Sequence, residues 1–390
     1  MIGLLSKIFI KNSQDTNNPE VRQKYGMLCG AIGIFLNILL FAGKFFAGLI
    51  SNSVSITADA FNNLSDAGSS VVTLIGFKLA GQEPDLNHPF GHGRIEYISG
   101  LVVSMAILLM GYELGKTSFD KIINPQPVEF STITAVILII SVLVKLYMNR
   151  YNKSVADKID SAAMRATAAD SLSDSVATSV VFIASLIGKF TNFAIDGWCG
   201  ALVSLFILRA GYMAAKDTIS PLLGQRPDAE LVGKIYEIVM EYPEVLGLHD
   251  LIVHDYGPGR IMVTLHAEVN AQANLLYTHD IIDNIENRLK KEIGCEATIH
   301  MDPIAQDNEN VQKLNYQIKE KIAETLGKDV SIHDFRIVEG HTHTNVIFDV
   351  VIPYKFDLSL QEVEEKVENI VYQIEDGYYR PVIKVEHAYV

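Results

Sequence analysis

The sequence predicts a bundle of six membrane-spanning helices followed by a soluble α+β region that occurs in two similar copies. Three observations predict this architecture. Before Pro221 the apolar residues run in segments of roughly 20 residues, the length that crosses the hydrocarbon core of a bilayer. After Arg226 the sequence becomes charged and alternating, as in soluble α+β proteins. In that second part, the order of helices and strands repeats after about 80 residues.

Composition separates the same two parts of the chain. Residues 1–219 carry 17 Lys and Arg against 16 Asp and Glu, whereas residues 220–390 carry 15 against 30. An acidic soluble half argues against nucleic acid as a partner, and solubility is the simplest reason for its charge. The cysteines Cys29, Cys199 and Cys295 are far apart. They suggest neither a disulfide framework nor a thiolate metal site.

The predicted membrane domain covers residues 25–219 and follows a cytoplasmic tail at 1–24. Its spans are predicted at residues 27–50, 54–80, 96–117, 130–149, 162–188 and 194–216. An even number of spans places both termini on one side of the membrane. Lys and Arg are concentrated at the span ends on that side, so the positive-inside rule places both termini in the cytoplasm of a cell-membrane protein.

Spans two and five differ from the others, because they are less hydrophobic, rich in small residues, and acidic. Each has an oxygen-bearing residue four positions before an aspartate: Asn62 and Asp66 in span two, Asp170 and Asp174 in span five. Residues i and i+4 share one helix face, and small residues let two helices approach closely. One such acid could equally serve a helix–helix hydrogen bond. Two pairs on facing helices favour a cation site, because carboxylates at membrane depth are costly.

The four side chains of these pairs offer oxygen only. All-oxygen sites suit Mn²⁺, Mg²⁺ and Ca²⁺, whereas Zn²⁺ generally recruits His or Cys. Three carboxylates around one divalent ion leave excess negative charge, which favours bound protons when the metal is absent. Metal and protons would therefore compete for the same oxygens, which is the physical basis of an exchange cycle.

A second group of candidate ligands follows span two directly. Asp85, His88 and His92 lie within eight residues of one another in the stretch Asp-Leu-Asn-His-Pro-Phe-Gly-His. One carboxylate and two imidazoles in a short loop can bind a metal ion. The alternative is that they are ordinary polar loop residues. Their position immediately after a ligand-bearing helix favours the metal site.

The first soluble copy, residues 220–304, reads as a helix, two strands, a helix and a strand. Its helices are predicted at 229–242 and 278–293, and its strands at 249–254, 260–269 and 296–301. The copy contains five further candidate metal ligands, namely His249, His266, His279, His300 and Asp302. Scattered surface histidines are the alternative interpretation, since spacing alone does not show that these residues converge.

The second copy, residues 305–390, repeats this order of elements. Helices are predicted at 311–326 and 360–374, and strands at 331–338, 345–352 and 382–387. The sequence Leu248-His-Asp aligns with Ile332-His-Asp, and Val263-Thr-Leu-His aligns with Val346-Ile-Phe-Asp. The second copy has lost most of the imidazoles. It keeps His333, Asp349, Glu362 and Glu386 near the equivalent positions.

Together these features resemble the cation diffusion facilitator family over residues 25–303. The likeness lies in the six spans, the two ligand pairs, the Asp-x-x-His-Pro-Phe-Gly-His-Gly-x-x-Glu loop and the terminal Thr-Ile-His-Met-Asp-Pro strand. The resemblance implies a homodimer with ferredoxin-like cytoplasmic domains that exchanges divalent metal for protons by alternating access. It implies nothing about residues 305–390, which lie outside the family core.

The resemblance also assigns roles to the candidate ligands. It matches Asn62, Asp66, Asp170 and Asp174 to the transport site, Asp85, His88 and His92 to the loop site, and the five ligands of the first soluble copy to the cytoplasmic sites. Zinc-transporting members usually place a histidine in one of the two pairs. Neither pair has one here, and this pattern is similar to the manganese branch.

The sequence therefore predicts a Mn²⁺/H⁺ antiporter that exports metal from the cytosol, with a further structural or regulatory metal in its cytoplasmic part. Its expected partners are a second copy of the chain, membrane lipid, divalent metal ions and protons. A Zn²⁺ or Fe²⁺ exporter is the alternative within the family. A membrane-anchored metal sensor or scaffold that moves no ions is the alternative outside it. An enzyme is not expected, because the sequence has no nucleophile–base constellation, P-loop or dinucleotide fingerprint.

Overall fold

A computed structural model describes the chain apart from residues 1–5, 7, 17, 51–53, 125–131, 192–195, 305–308, 341, 375–377 and 389–390. The chain forms two compact units. The first comprises Met1–Gln225 together with Asp255–Arg260, and the second comprises Arg226–His254 and Ile261–Val390. Residues 305–308, at the predicted boundary between the two soluble copies, lie outside the described residues.

The first unit is built from long helices, six of them within the described residues, and each predicted span overlaps one of them. They are α1 Pro19–Ile50, α2 Val54–Ala80, α3 Ile95–Ile123, α4 Thr132–Ile159, α5 Ala162–Thr191 and α6 Asp196–Leu222. Several helices extend beyond the predicted apolar span. The largest extension is at the end of α4, where the helix continues through polar residues to Ile159.

Four of the described helices are long and apolar enough to cross a membrane: α1, α3, α4 and α6. The other two, α2 and α5, carry the acidic pairs and are enriched in small and polar residues. A polar face is tolerated in a membrane helix when it is turned toward another helix rather than toward lipid.

Close contact between α1 and α2 depends on three glycines that are three or four residues apart. A Cβ at Gly30 would lie 2.8 Å from the Cβ of Leu74, and one at Gly33 would lie 2.7 Å from the Oγ of Ser70. Gly26 faces the buried ring of Phe77 in the same way. Small residues at this spacing line one side of a helix and let a neighbouring backbone approach.

The second unit contains the helix–strand–strand–helix–strand order twice, as the sequence predicts. The first copy comprises α7 Ala229–Met240, β1 Val245–Asp255, β2 Ile261–Asn270, α8 Leu275–Glu292 and β3 Cys295–Ile304. The second comprises α9 Glu309–Leu326, β4 Ser331–Glu339, β5 Thr344–Ile352, α10 Leu360–Tyr372 and β6 Tyr379–His387. Each copy has a three-stranded sheet, in the order β1-β2-β3 or β4-β5-β6.

Each copy has its own hydrophobic core, because its helices pack against its own sheet. The core of the first copy includes Ile235, Val263, Leu265, Ile285 and Leu289, and that of the second includes Ile318, Val346, Phe348, Val350 and Val367. Burial alternates along β5, so every second side chain faces this core. The parallel pairs β2–β3 and β5–β6 are equivalent in the two copies.

One backbone irregularity occurs at the same position in both copies. Asp250 in β1 and Asp334 in β4 each have a φ of 51°, in the left-handed region. The register of β4 with β5 shifts just after His333. A bulge of this kind interrupts the alternation of side chains along a strand. It therefore affects which side chains near it reach the same side of the sheet.

The packing predicts that Gly100→Ala destabilises the helical unit. A Cβ at Gly100 would lie 2.9 Å from the backbone Cα of Ala163 and 2.7 Å from the Cγ2 of Thr218. Overpacking of this kind typically costs about 1–3 kcal/mol. Thermal unfolding of the purified protein in detergent should therefore show a lower Tm.

Gly43→Ala is the matched control, since Gly43 is exposed and a Cβ there would meet nothing within 4 Å. This change should leave the Tm unchanged or raise it, because Ala is favoured over Gly in a helix by roughly 0.5–1 kcal/mol. Equal Tm values for the two variants would contradict the close approach of α3, α5 and α6.

Candidate metal centre

Three of the carboxylates predicted for the transport site lie together within the helical unit. Asp66 on α2 and Asp170 and Asp174 on α5 each offer an oxygen, and these oxygens lie within 4.8 Å of one another. Asp170 is only 6% exposed. Asp66 and Asp174 are partly buried. Three such carboxylates at this separation repel one another strongly unless positive charge lies between them. The arrangement can therefore hold a cation.

Asn62, the fourth predicted ligand, lies one helical turn before Asp66 on α2. Its side chain is exposed. The i to i+4 spacing places it on the face of α2 that carries Asp66. Its role as a ligand stays a prediction.

A lysine that the sequence pattern did not identify as a site residue lies between the carboxylates. The Nζ atom of Lys145 on α4 is 2.7 Å from Asp66 Oδ2 and 2.6 Å from Asp174 Oδ2, and it donates a hydrogen bond to each. The side chain is 4% exposed. The ammonium group thus balances part of the carboxylate charge from a third helix.

Polar side chains near this cluster also join its helices. The hydroxyls of Thr73 on α2 and Thr167 on α5 lie 3.0 Å apart and share a hydrogen bond. Asn149 on α4 donates from Nδ2 to the carbonyl oxygen of Ala168 at 2.7 Å. The part of α2 that carries Asp66 and Thr73 is therefore directed toward α4 and α5. Its opposite face presents Phe61 and other apolar side chains to the exterior, so α2 is not enclosed by the bundle on all sides.

The three predicted loop ligands also lie together. Asp85 Oδ1 is 3.4 Å from His88 Nδ1, and Asp85 Oδ2 is 3.5 Å from His92 Nε2. Asp85 accepts hydrogen bonds from the backbone N–H groups of Asn87 and His88. The hydrogen bond from the His88 backbone holds the pKa of Asp85 below its usual value. The loop thus combines an ionised carboxylate with two imidazoles, a donor set that suits a divalent metal.

In the first soluble copy, the predicted ligands converge on Asp302. Its Oδ2 atom lies 3.1 Å from His249 Nε2 and 2.9 Å from His266 Nδ1, and its Oδ1 atom lies 3.3 Å from His300 Nε2. His266 and His300 are direct partners in the parallel pairing of β2 with β3. The strands therefore bring His249, His266 and Asp302 within 4.8 Å of one another, and they place His300 beside this group at the other oxygen of Asp302.

His279 does not join this group. It lies on α8 with an exposed side chain, and its Nδ1 atom is 3.6 Å from Asp283 Oδ1. Among the described residues it belongs to no cluster of metal-ligating side chains. His279 on α8 therefore lies apart from the strand residues around Asp302, with which the family resemblance grouped it.

The cluster around Asp302 fits a resident divalent metal. The side chain of His249 is 8% exposed, and although Nε2 lies 3.1 Å from Asp302 Oδ2, neither ring nitrogen makes a well-aligned hydrogen bond among the described residues. Burial alone would lower the pKa of His249, but the carboxylates of Asp250, Asp302 and Glu268 outweigh it and raise the pKa. A metal bound here would replace the proton on that imidazole, so binding would release it.

Residues 31–223 match the cation efflux transmembrane domain, and residues 227–304 match the cytoplasmic domain of cation efflux proteins. Both matches lie before the second soluble copy.

Three curated relatives cover the same part of the chain. The uncharacterized transporter MJ0449 of Methanocaldococcus jannaschii is 32% identical over 272 residues, which are 70% of this chain and 96% of the relative. The manganese efflux system protein MneS of Bacillus subtilis is 28% identical, over 73% of this chain and 97% of its own length. The cation-efflux pump FieF of Escherichia fergusonii is also 28% identical, over 73% of this chain and 95% of its own length.

These matches cover both the helical unit that holds the three carboxylates and the copy that holds the Asp302 cluster. They agree with the family that the sequence motifs indicated. The chain therefore belongs to the cation efflux, or cation diffusion facilitator, family and is a multi-pass membrane protein of a family of metal-cation transporters.

Proposed function

We propose that this transporter exports Mn²⁺ from the cytosol in exchange for protons, as a homodimer in the cell membrane with both termini in the cytoplasm. The observation that carries the proposal is the cluster of Asp66, Asp170 and Asp174. It consists of carboxylates alone, from two helices of the membrane unit. The relative MneS is named a manganese efflux system protein, and FieF is named a cation-efflux pump.

The chemistry of these ligands supports Mn²⁺ over Zn²⁺. Carboxylate oxygens bind hard cations well, whereas sites selective for Zn²⁺ usually contain imidazole or thiolate. The described cluster contains neither group. Asn62, one turn away on α2, can supply only a further oxygen through its carbonyl group.

Lys145 supplies a physical basis for exchange. In the absence of metal its ammonium group binds Asp66 and Asp174. An arriving Mn²⁺ must compete with this ammonium group and with protons for the same oxygens. When Mn²⁺ leaves, Lys145 and bound protons again balance the charge of the carboxylates. The transporter can then switch back to its inward-facing conformation without carrying unbalanced charge through the low-dielectric interior of the membrane.

The first prediction concerns the dependence of transport on the carboxylates. In proteoliposomes with a pH gradient, the wild type should move Mn²⁺, and Asp174→Asn should reduce this flux to the background of empty liposomes. The asparagine keeps the shape of the side chain but removes the charge that binds the ion. Asp120→Asn, at an exposed aspartate near the end of α3, is the matched control and should transport normally.

A folded wild-type dimer that moves no Mn²⁺, Zn²⁺ or Fe²⁺ would contradict the proposal and favour the sensor or scaffold. Normal flux in Asp174→Asn would exclude the carboxylate cluster as the transport site. Flux that does not respond to the pH gradient would rule out proton exchange.

The second prediction concerns metal selectivity. Asn62→His adds an imidazole one turn from Asp66, so it should raise Zn²⁺ transport relative to Mn²⁺ transport. Competition between the two metals in the same proteoliposomes measures this ratio. If the wild type already prefers Zn²⁺ or Fe²⁺, the argument from oxygen ligands is wrong and the exporter is of the alternative type.

The third prediction separates binding from turnover at Lys145. Lys145→Gln removes the ammonium group that competes with metal, so Mn²⁺ should bind more tightly. Turnover should fall, because the empty site loses its internal positive charge. Equilibrium binding and flux are measured on the same preparation. Lys78→Gln, at an exposed lysine in the last turn of α2, should change neither. Unchanged binding in Lys145→Gln would show that Lys145 does not compete with the metal.

A further inference from the structure

A second cluster of metal-ligating side chains lies between the two soluble copies. Asp250 comes from the first copy, and His333, Asp349 and Glu386 come from the second. Each offers one ligand atom, and these four atoms lie within 4.8 Å of one another. The cluster shares no member with the Asp302 site, which uses ligands of the first copy alone, but it adjoins that site because His249 also lies within 4.8 Å of Asp250 and His333.

The second-copy members of this cluster are the counterparts of the ligands around Asp302. His333 corresponds to His249 in the repeated Leu/Ile-His-Asp sequence. In the paired strands, His266 lies opposite His300, and Asp349 lies opposite Lys384. Two residues farther along the third strand of each copy are Asp302 and Glu386. The second copy thus keeps one imidazole and one acid of the first-copy set. Asp349 and Lys384 stand in place of the other two imidazoles.

The imidazole of His333 is buried without a hydrogen bond. Its side chain is 10% exposed, and neither ring nitrogen has a hydrogen-bond partner among the described residues. Its Nε2 atom points toward Asp250 Oδ1, at 3.7 Å. Its ring stacks on that of His249, with 4.2 Å between the ring centroids. A buried imidazole without partners is costly, and a metal ion in the cluster would give it one.

Asp250 reaches this cluster because of its unusual backbone. With φ at 51°, it breaks the alternation of β1. Its carboxylate therefore lies near both stacked rings, 3.8 Å from His249 Nδ1 and 3.7 Å from His333 Nε2. In a regular strand, residues 249 and 250 would point to opposite faces.

The charges around the cluster match a divalent ion. The three carboxylates are faced by Lys384, whose Nζ atom lies 2.6 Å from Glu386 Oε2 and 3.9 Å from Asp349 Oδ2. With a neutral His333, the ionised groups leave two negative charges. The lysine side chain is 63% exposed, so it can move aside when a metal ion binds.

We propose that Asp250, His333, Asp349 and Glu386 form a divalent-cation site that links the two soluble copies. Three oxygens and one imidazole nitrogen suit Mn²⁺, which tolerates both ligand types. Because the ligands come from both copies, binding at this site fixes one copy against the other. The site is independent of the transport site, so its test does not depend on metal transport.

Removal of two second-copy ligands tests the stoichiometry. Equilibrium dialysis of the full-length protein in detergent against Mn²⁺ counts the ions bound per chain. Asp349→Asn with Glu386→Gln keeps the side-chain shapes and should lose one Mn²⁺ per chain. Asp357→Asn with Glu364→Gln removes the same charge at exposed acids of the second copy outside the cluster and should lose none. Equal counts in the two double variants would overturn the proposal.

Hydrogen–deuterium exchange locates the bound ion within the chain. In the wild type, Mn²⁺ should slow amide exchange in β4 and β5. Asp302→Asn removes the shared ligand of the first-copy site and should leave this protection in place, whereas the Asp349/Glu386 double variant should abolish it. If Asp302→Asn abolishes it instead, the ion sits in the first copy and the proposal fails.

Lys384→Met gives a test that does not depend on removing a ligand. The exposed ammonium group competes with the metal for Glu386 and Asp349, so its loss should tighten Mn²⁺ binding at this site severalfold. The protection of β4 and β5 should then appear at lower Mn²⁺ concentration. Unchanged or weaker binding would contradict the proposed site. It would mean that the ion pairs of Lys384 are purely structural and do not compete with a metal ion.

Discussion

The ammonium group of Lys145 between the carboxylates of Asp66 and Asp174 is the interaction on which the helical unit depends. Three acids that meet inside a membrane bundle would force their helices apart if nothing offset their charge. The lysine comes from a third helix, so charge balance also ties α4 to α2 and α5. In the soluble unit, Lys384 has a similar position beside Glu386 and Asp349. In both places the carboxylates that can bind a metal are accompanied by a positive side chain of the protein itself.

The acidic pairs could be predicted from sequence, whereas the lysine could not. Asp170 and Asp174 are four residues apart, so they lie on one face of a helix in any tertiary structure. That these two acids lie close together therefore follows from helix geometry alone. Lys145 lay near the predicted end of its span at residue 149, where a lysine can extend its side chain to water. The helix in fact continues to Ile159, which places Lys145 at its middle. A lysine that is recognised as lying away from the end of a membrane helix, rather than at its end, indicates a function because it is costly there.

In the soluble unit, sequence periodicity was enough to predict the elements and the duplication but not which histidines meet. Alternation in β2 and β5 marks the core faces, and each copy folds around its own core. Whether His249 and His266 converge depends on strand register and on the bulge, neither of which is visible in the pattern. Two residues, one predicted as a ligand and one predicted near a ligand position, lie outside the described clusters. His279 is exposed on α8, and Glu362 forms a capping box with Ser359 at the start of α10.

The left-handed backbone at Asp250 and Asp334 has a consequence for protein engineering. Glycine adopts this conformation without strain, and aspartate is less well suited to it. A consensus or stability-guided redesign of either copy would therefore favour glycine at these positions. In the first copy that choice would relax the strand but delete the carboxylate that reaches the neighbouring copy. Stabilising the copies separately would thus weaken the chemical connection between them.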